Sequence, residues 1–347
     1  MERKLVSIET IDAITDIPDA DKIVVASIKG WKVVVRKGEF SVGDKCAFFE
    51  IDSVLKRAPW NEFLFKTPEM TTYRLRTCKL RKQLSQGLAI PLSAVGIEGN
   101  VGEDITEKLG VIKYEPTLPA QLRGVVKGNF PYFCKKSDEY RVQSYPDILN
   151  EMDGKEVYVT QKVDGTSSTY FCRKSTDLAD AFDTGVCSRN LLLQDPKEGD
   201  SIPVYWEIEK KYDILNKLRI LGRNIQISGE CYGEGIQKNR LGIKGHDIAI
   251  FTAYDIDNQK YIGYHELKGL CEGLGLSMVK VVDVFKFDKN VHTLDWWLQK
   301  ANEAKYDNGS NCEGLVVRPV EECYSTILDG RMSFKALSNN YLLKNEE

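Results

Sequence analysis

Two runs far apart in the chain carry residue types that can do chemistry together. Lys162-Val163-Asp164-Gly165-Thr166-Ser167 offers a primary amine beside a tight glycine turn. Glu313-Gly314-Leu315-Val316-Val317-Arg318 offers a carboxylate at the head of an apolar, β-branched strand. An amine that attacks phosphorus needs rigid backbone to hold it and an acidic group nearby to position a metal ion. A free lysine has a pKa near ~10.4, so only about one in a thousand is neutral at neutral pH. Burial and a neighbouring cation both favour the neutral form, and a bound metal ion would serve as that cation. Asp164 would oppose it if close, and is expected to face elsewhere and hold the turn. Gly165 permits a backbone geometry and a close approach that a side chain would block. Taken alone, K-x-D-G is also a common hairpin turn.

Further elements lie between and beyond these runs. Ser188-Arg189-Asn190 places a cation soon after the lysine. Ser228-Gly229-Glu230-Cys231-Tyr232-Gly233 places a carboxylate between two glycines at a strand end. Ile250-Phe251-Thr252-Ala253-Tyr254-Asp255-Ile256 is an apolar strand whose Phe251 could lie on a purine base, and Ser333-Phe334-Lys335 brings a second lysine. Each has an ordinary alternative: Glu230 capping a turn, Phe251 in a core, Lys335 as a solvated charge. With the Glu313 run they make five elements downstream of Lys162, and five in this order are hard to obtain from core packing alone.

The elements that must position these residues belong to a 347-residue chain, long enough for two domains. Hydrophobic residues make up 42% and charged residues 29%, a composition that supports a sizeable core and argues against disorder. The formal net charge of -3 removes any global positive field, so a nucleic-acid surface has to be a local patch. No run approaches the roughly 20 apolar residues of a membrane helix, and Met1-Glu2-Arg3-Lys4-Leu5 lacks an apolar signal core. A soluble intracellular protein is expected. The nine cysteines include no C-x-x-C and the three histidines are isolated, which argues against a zinc site and a disulfide framework. Nothing marks one cysteine as a nucleophile over another.

Residues 1–110 read as all-β. Ile23 to Ile28, Trp31 to Val35 and Lys45 to Ile51 are short β-branched or aromatic runs separated by the turn signals Lys29-Gly30, Lys37-Gly38-Glu39 and Val42-Gly43-Asp44. Short strands with glycine-rich turns fit a small barrel. Residues 111–150, with four prolines and little periodicity, read as a connector. Residues 151–347 mix strands, such as Glu156 to Thr160 and Ile225 to Ser228, with candidate helices at Val204 to Leu221, His265 to Leu274 and Thr293 to Tyr306. The first of these has Ile208, Tyr212, Leu215, Leu218 and Ile220 at near-helical spacing.

These residues resemble the covalent nucleotidyltransferase superfamily of polynucleotide ligases and mRNA capping enzymes. Lys162-Val163-Asp164-Gly165 looks like its motif I, Ser188-Arg189-Asn190 like motif Ia, and Gly229-Glu230 like motif III. Phe251 to Ile256 looks like motif IIIa, Glu313 to Val316 like motif IV, and Ser333-Phe334-Lys335 like motif V. The resemblance implies that Lys162 attacks the α-phosphate of a nucleoside triphosphate and keeps the nucleotide as a phosphoramidate. It implies that Gln161 and Val163 contact the adenine edge, Arg189 and Glu230 the ribose, and Phe251 and Val316 the two faces of the base. Glu313 would hold a metal, Mg2+ or Mn2+, and Lys335 would contact the α-phosphate. Motif V often carries two lysines one residue apart; here Ser333 takes the earlier place, and Lys344 is the candidate for the second charge.

The last motif lies close to the end of the sequence, which directs the expectation to the RNA ligases, relatives that can lack a C-terminal OB domain. The first domain sharpens this. Ile17 to Ile23, Trp31 to Val35, Phe40 to Asp44, Glu50 to Leu55 and Leu80 to Leu88 resemble an N-terminal OB fold, and Ser137 to Gln143 looks like the segment preceding motif I in RNA ligases. An N-terminal OB domain fused to a ligase core resembles the Deinococcus-type RNA ligases. The implied fold class is α+β: an OB-fold β-barrel followed by an antiparallel-sheet, ATP-grasp-like ligase domain. The implied reaction uses ATP and joins 3′-hydroxyl to 5′-phosphate ends of RNA or of an RNA-containing nicked duplex, with no membrane and no protein partner. Rival readings are a capping-type guanylyltransferase, a DNA ligase, or a non-catalytic nucleic-acid-binding adaptor.

The polynucleotide also needs a surface. Arg74, Arg76, Lys79, Arg81 and Lys82 fall within one short stretch that no acid interrupts, and Tyr73 sits beside them. OB folds bind nucleic acid on such strands and loops, which makes this stretch a candidate for phosphate contacts. Lysines also blunt exposed strand edges, and both readings stay open here.

Overall fold

Trp31, Val33 and Val35 are buried while Lys32 and Arg36 are exposed, the period of two that a half-buried strand imposes on its side chains. The structure is a computed structural model that describes residues 3–115, 125–175 and 181–345, the last of them by backbone only. The chain divides into two units. One comprises Met1–Thr117, Val142–Pro146 and Leu342–Glu347, and the other Leu118–Arg141 and Asp147–Tyr341.

The first unit runs β1 (Val6–Thr10), β2 (Ala13–Asp16), β3 (Ile23–Ile28), β4 (Trp31–Arg36), β5 (Lys45–Phe49), β6 (Ser53–Lys56), β7 (Thr72–Arg74), β8 (Thr77–Leu80), β9 (Gln83–Gln86), β10 (Leu88–Pro91), the single-turn α1 (Leu92–Val95) and β11 (Ile112–Lys113). They pair antiparallel in the orders β1-β5-β10, β2-β3-β4, β11-β6-β7 and β8-β9. Adjacent residues on β5 serve two cores. Phe48 packs with Ile28, Trp31 and Val33, and Phe49 with Val6, Ile8 and Leu55. The region expected to be all-β is dominated by strands, with a 3-10 helical segment at Pro59–Leu64 and the single-turn α1 beside them. Its β8–β9 hairpin turns at Arg81 (φ 50°) and Lys82 (φ 67°), the left-handed pair that a two-residue hairpin loop requires.

The second unit contains β12 (Val126–Asn129), α2 (Ile148–Met152), β13 (Glu156–Lys162), β14 (Thr166–Lys174), β15 (Phe182–Cys187), β16 (Leu191–Leu193), α3 (Val204–Tyr212), α4 (Ile214–Leu221), β17 (Ile225–Gly233), β18 (His246–Asp255), β19 (Lys260–Tyr261), α5 (Tyr264–Leu274), β20 (Val281–Lys286), α6 (Leu294–Glu303), β21 (Gly314–Pro319), β22 (Tyr324–Ser325), β23 (Gly330–Arg331) and β24 (Phe334–Leu337). The terminal helix α7 (Asn339–Asn345) straddles the division between the units. Two antiparallel sheets dominate: β12-β16-β15-β14-β17-β18-β19 and β20-β13-β21-β24. The larger packs Tyr170, Ile227 and Ile250 against Trp206, Ile208, Leu218 and Leu267 of α3, α4 and α5. The smaller packs Phe334 against Trp297 of α6, ring centroids 5.2 Å apart.

The structure differs from the sequence reading in two places. The single helix expected over Val204 to Leu221 is two, because Asp213 adopts a left-handed conformation (φ 51°) between α3 and α4. Aspartate tolerates that geometry better than most residues. The break lets Ile208, Ile214 and Leu218 all be fully buried, and leaves Ile220, read as apolar-face, 77% exposed. Within the stretch read as a connector, Val126–Asn129 forms an edge strand on β16.

Candidate active site

The chain leaves the smaller sheet at Lys162 and enters the larger one at Thr166, so the Val163-Asp164-Gly165 turn is the crossing between sheets. Lys162 is paired with Gly314, which is paired with Leu337; two rows back, Thr160 pairs with Val316 and Val316 with Lys335. Strand alternation puts Lys162, Gly314, Val316 and Lys335 on one face of this sheet. The opposite face meets α6.

The Lys162 Nζ lies 2.7 Å from Glu313 Oε2. Burial works to push this ammonium down, but the carboxylates of Glu313, Glu230 and Asp164 outweigh it and hold its pKa above the usual lysine value. Desolvation alone therefore does not free the amine. A cation arriving at those carboxylates would. Glu230, on β17 opposite Ser167, has its carboxyl lifted to about 7 by burial and by the charges of Glu313 and Asp164, against the pull of Lys162 and Arg189. Lys335 is pushed down to about 7 by burial, then by the cations of Lys162 and Arg141. Gly165 has the close-approach role foreseen for it: a Cβ there would sit 2.2 Å from the Cys231 carbonyl oxygen and 2.8 Å from Glu230 Cγ.

Asp164 is buried and turned to two partners, accepting from the Tyr341 hydroxyl at 2.7 Å and pairing with Arg240 Nε at 3.3 Å. It anchors the turn, as expected, while its charge is still felt at Lys162. Val163 packs with Ala249, Val279 and the half-buried Phe251, which brings two of the expected base-contacting residues into one apolar cluster. Val316 is buried on the Lys162 face.

Gln161 lies apart from the other expected residues. Its side chain falls on the α6 face by strand alternation and donates to the Lys305 carbonyl at 2.7 Å, so it does not join Lys162 and Val316. Arg189 is exposed and pairs with Asp138 at 2.7 Å. Lys344 is exposed on α7, in the stretch that belongs to the first unit.

Several residues of this site carry no local signal in the sequence. Glu139 is half-buried, its side chain 9% exposed, and accepts from both Arg318, at 2.6 Å, and Ser333. Ser333, in the place where a lysine is common, is thereby tied to an ion pair already satisfied. Arg318 also donates to the Phe251 carbonyl at 2.7 Å, linking β21 to β18. The segment around Arg141 runs parallel to β24, with Lys335 N donating to the Tyr140 carbonyl at 2.8 Å. Tyr306, which the sequence places at the end of a helix, is buried with its hydroxyl between Lys162 and Glu313.

Among the described residues, no three His, Cys, Asp or Glu side chains gather into a metal cage. Magnesium and manganese do not require one: they take one or two carboxylates and complete their shell with water and substrate phosphate. Glu313, with Glu230 and Asp164 acting electrostatically on the same amine, fits that donor set.

Residues 5–92 match an OB-fold domain family, and residues 155–337 match the RNA ligase family. The chain belongs to the RNA ligase family. It is also similar over nearly its whole length to solved structures of the Naegleria gruberi RNA ligase. A mutant in the apo state is 34% identical, covers 99% of this chain and 98% of its own, and superposes with a TM-score of 0.86. A mutant with ATP and Mn is 34% identical over 99% of both chains at 0.86, and another with AMP and Mn is 34% identical over 99% of both at 0.85. No curated protein sequence matches. The α+β fold with an N-terminal OB domain stands on the same findings. Among the described residues no helix is long and apolar enough to cross a membrane.

The five basic residues expected to contact phosphates divide in two. Arg74 is half-buried, pairs with Asp52 at 2.6 Å and lies 3.8 Å from the Tyr114 ring centroid, so its charge is used inside the fold. Arg76, Lys79, Arg81 and Lys82 are exposed, the last two at the tip of the β8–β9 hairpin.

Proposed function

We propose that this RNA ligase seals nicks in duplexes whose 3′-hydroxyl end is RNA, using ATP and passing through a lysyl-AMP on Lys162. The observation that carries the reading is the Lys162–Glu313 contact at 2.7 Å, with Lys335 two rows away on the same sheet face. In the first step Lys162 Nζ loses its proton and attacks the α-phosphorus of ATP; a P–N bond forms and pyrophosphate leaves. In the second, a 5′-phosphate oxygen of the nick attacks that phosphorus, the P–N bond breaks and the amine is released. In the third, the 3′-hydroxyl attacks the 5′-phosphorus, AMP leaves and the phosphodiester is closed.

The placement of these side chains supports the following roles. Val163 and Phe251, packed together, and Val316 on the Lys162 face form the apolar walls for adenine. Glu230, with Arg189, takes the ribose hydroxyls. Lys335 meets the α-phosphate, where charge builds as pyrophosphate departs. A divalent ion at Glu313 supplies neutralisation of phosphate charge and draws carboxylate charge away from the amine. Positioning and charge stabilisation carry the later two steps, in which the protein forms no new covalent bond. ATP and polynucleotide ends as substrates imply an intracellular setting.

Sealing of four nicked duplexes that differ only in RNA or DNA at the 3′-hydroxyl and 5′-phosphate sides tests the strand preference. Sealing is expected wherever the 3′-hydroxyl nucleotide is RNA. Equal rates on all-DNA nicks would remove it.

The exposed hairpin is the proposed phosphate-contacting surface. Replacing Lys79, Arg81 and Lys82 together by alanine is expected to weaken nick binding roughly tenfold or more at moderate salt. The slope of log K against log salt should flatten by about 0.9 for each phosphate that the variant no longer neutralises. A salt series that superimposes on the unaltered protein would reduce these residues to a solvated edge.

A further inference from the structure

We infer that Tyr306 is a positioning residue that sets the nucleophile and the metal-holding carboxylate in register through their backbones. Its hydroxyl donates to the Lys162 carbonyl at 2.7 Å and accepts from Asp164 N at 3.0 Å and Glu313 N at 3.3 Å. One oxygen therefore joins the residue before the sheet crossing, the residue within it, and the head of β21. The hydroxyl uses its single donor and both acceptor directions on main-chain groups of the two runs that do the chemistry. Tyr306 is 4% exposed, and burial pushes its phenol well above the ordinary tyrosine value, so it stays a neutral hydroxyl able to donate.

The loop that presents Tyr306 is built for this. Between α6 and β21, Lys305 bridges Asn311, Tyr306 N donates to the Ser310 carbonyl at 2.9 Å, and Gly309 N donates to the Tyr306 carbonyl at 2.8 Å. The same loop grips the crossing from its other sides. The Lys305 carbonyl receives Gln161, Cys312 Sγ donates to the Lys162 carbonyl at 3.4 Å, and Asn308 and Ser310 both donate to the carbonyl of Arg240, the partner of Asp164. Side chains of Lys162 and Glu313 reach each other only if these two main-chain segments keep their spacing. In-line attack on phosphorus loses rate steeply with displacement of about 1 Å.

The inference rests on the lysyl-AMP reading, and its test separates the two. Tyr306→Phe keeps the ring and removes the shared oxygen. Single-turnover adenylylation with labelled ATP is followed beside sealing of a nick that already carries a 5′-adenylate. The unaltered protein must first label; if it does not, the ligase reading fails and Tyr306 is not at issue. For Tyr306→Phe the expected result is a rate constant for labelling at least tenfold lower. The final fraction labelled and the ATP concentration at half-maximal rate should be unchanged, and sealing of the adenylylated nick altered less than threefold. A variant that is merely misfolded loses labelled fraction and both activities together, as does any parallel loss with Asn308→Ala, which spares the shared oxygen. That pattern, or an unchanged labelling rate, overturns the positioning role.

Discussion

Lys162→Ala is expected to reduce labelling by ATP on a denaturing gel to background, a loss of at least about a thousandfold, because the phosphoramidate is formed on this amine, while Lys335, the other amine on this sheet face, pairs two residues further along β21. The variant should still seal a nick that carries a preformed 5′-adenylate, since the third step uses the 3′-hydroxyl as nucleophile. The residual rate falls by roughly tenfold for the loss of one cation beside the phosphates. The fold should survive. The Lys162 side chain is 25% exposed, so water can replace it. Glu230, with a carboxyl already lifted to about 7, takes up a proton when the neighbouring ammonium is gone and so relieves the uncompensated charge. An adduct of undiminished intensity on Lys162→Ala would put the nucleophile elsewhere. A variant that labels nothing, seals nothing and melts far below the unaltered protein would report on folding instead, and Lys162→Met, which retains the aliphatic stem, then decides.

The parts of this site legible in the sequence are those where one residue type is required by the chemistry. An amine, a carboxylate and a glycine that no Cβ could replace leave marks at Lys162, Glu313 and Gly165. Strand identity was also legible wherever burial is one-sided or complete, as in Trp31–Arg36 and Glu156–Lys162, because period two or a β-branched run is imposed by the sheet. The groups that hold the site in register were not legible. Tyr306, Glu139 and Tyr341 act through contacts spanning 142 to 179 residues of sequence, and Arg240 reaches Asp164 from beyond β17. Nothing local distinguishes these four from core or surface residues. Gln161 is a different case: the resemblance assigns it an adenine contact, and strand alternation sends its side chain to the face opposite Lys162. Asp213 escaped for a similar reason, since one left-handed residue breaks a helix without disturbing the apolar spacing on either side.

Lys335 gives the second large effect and a distinctive proton count. In the nucleotide-free protein, burial and the cations of Lys162 and Arg141 hold its pKa at about 7, so it is mostly neutral at about pH 8. Its folded value lies below its unfolded one, so the unfolded chain binds more protons between about pH 7 and 10. Stability therefore rises with pH across that window, and the cost of charging Lys335 is fully present below it. A phosphate group arriving beside the amine reverses the balance by favouring the ammonium. Binding of a non-cleavable ATP analogue at about pH 8 should then draw in close to one more proton in the unaltered protein than in Lys335→Met. Calorimetry in two buffers of different ionisation heat reads this difference directly. The comparison with Lys335→Met cancels protons moved by Lys162 and by the nucleotide itself, and Glu230 is already ionised at that pH. In the same variant, adenylylation should fall on the order of a hundredfold while the analogue still binds, because a cation aimed at the α-phosphate matters most as charge builds there. Equal proton uptake by the two proteins, or a labelling rate within a fewfold of the unaltered protein, would place Lys335 outside the chemistry and leave it as a lysine buried for the sake of β24.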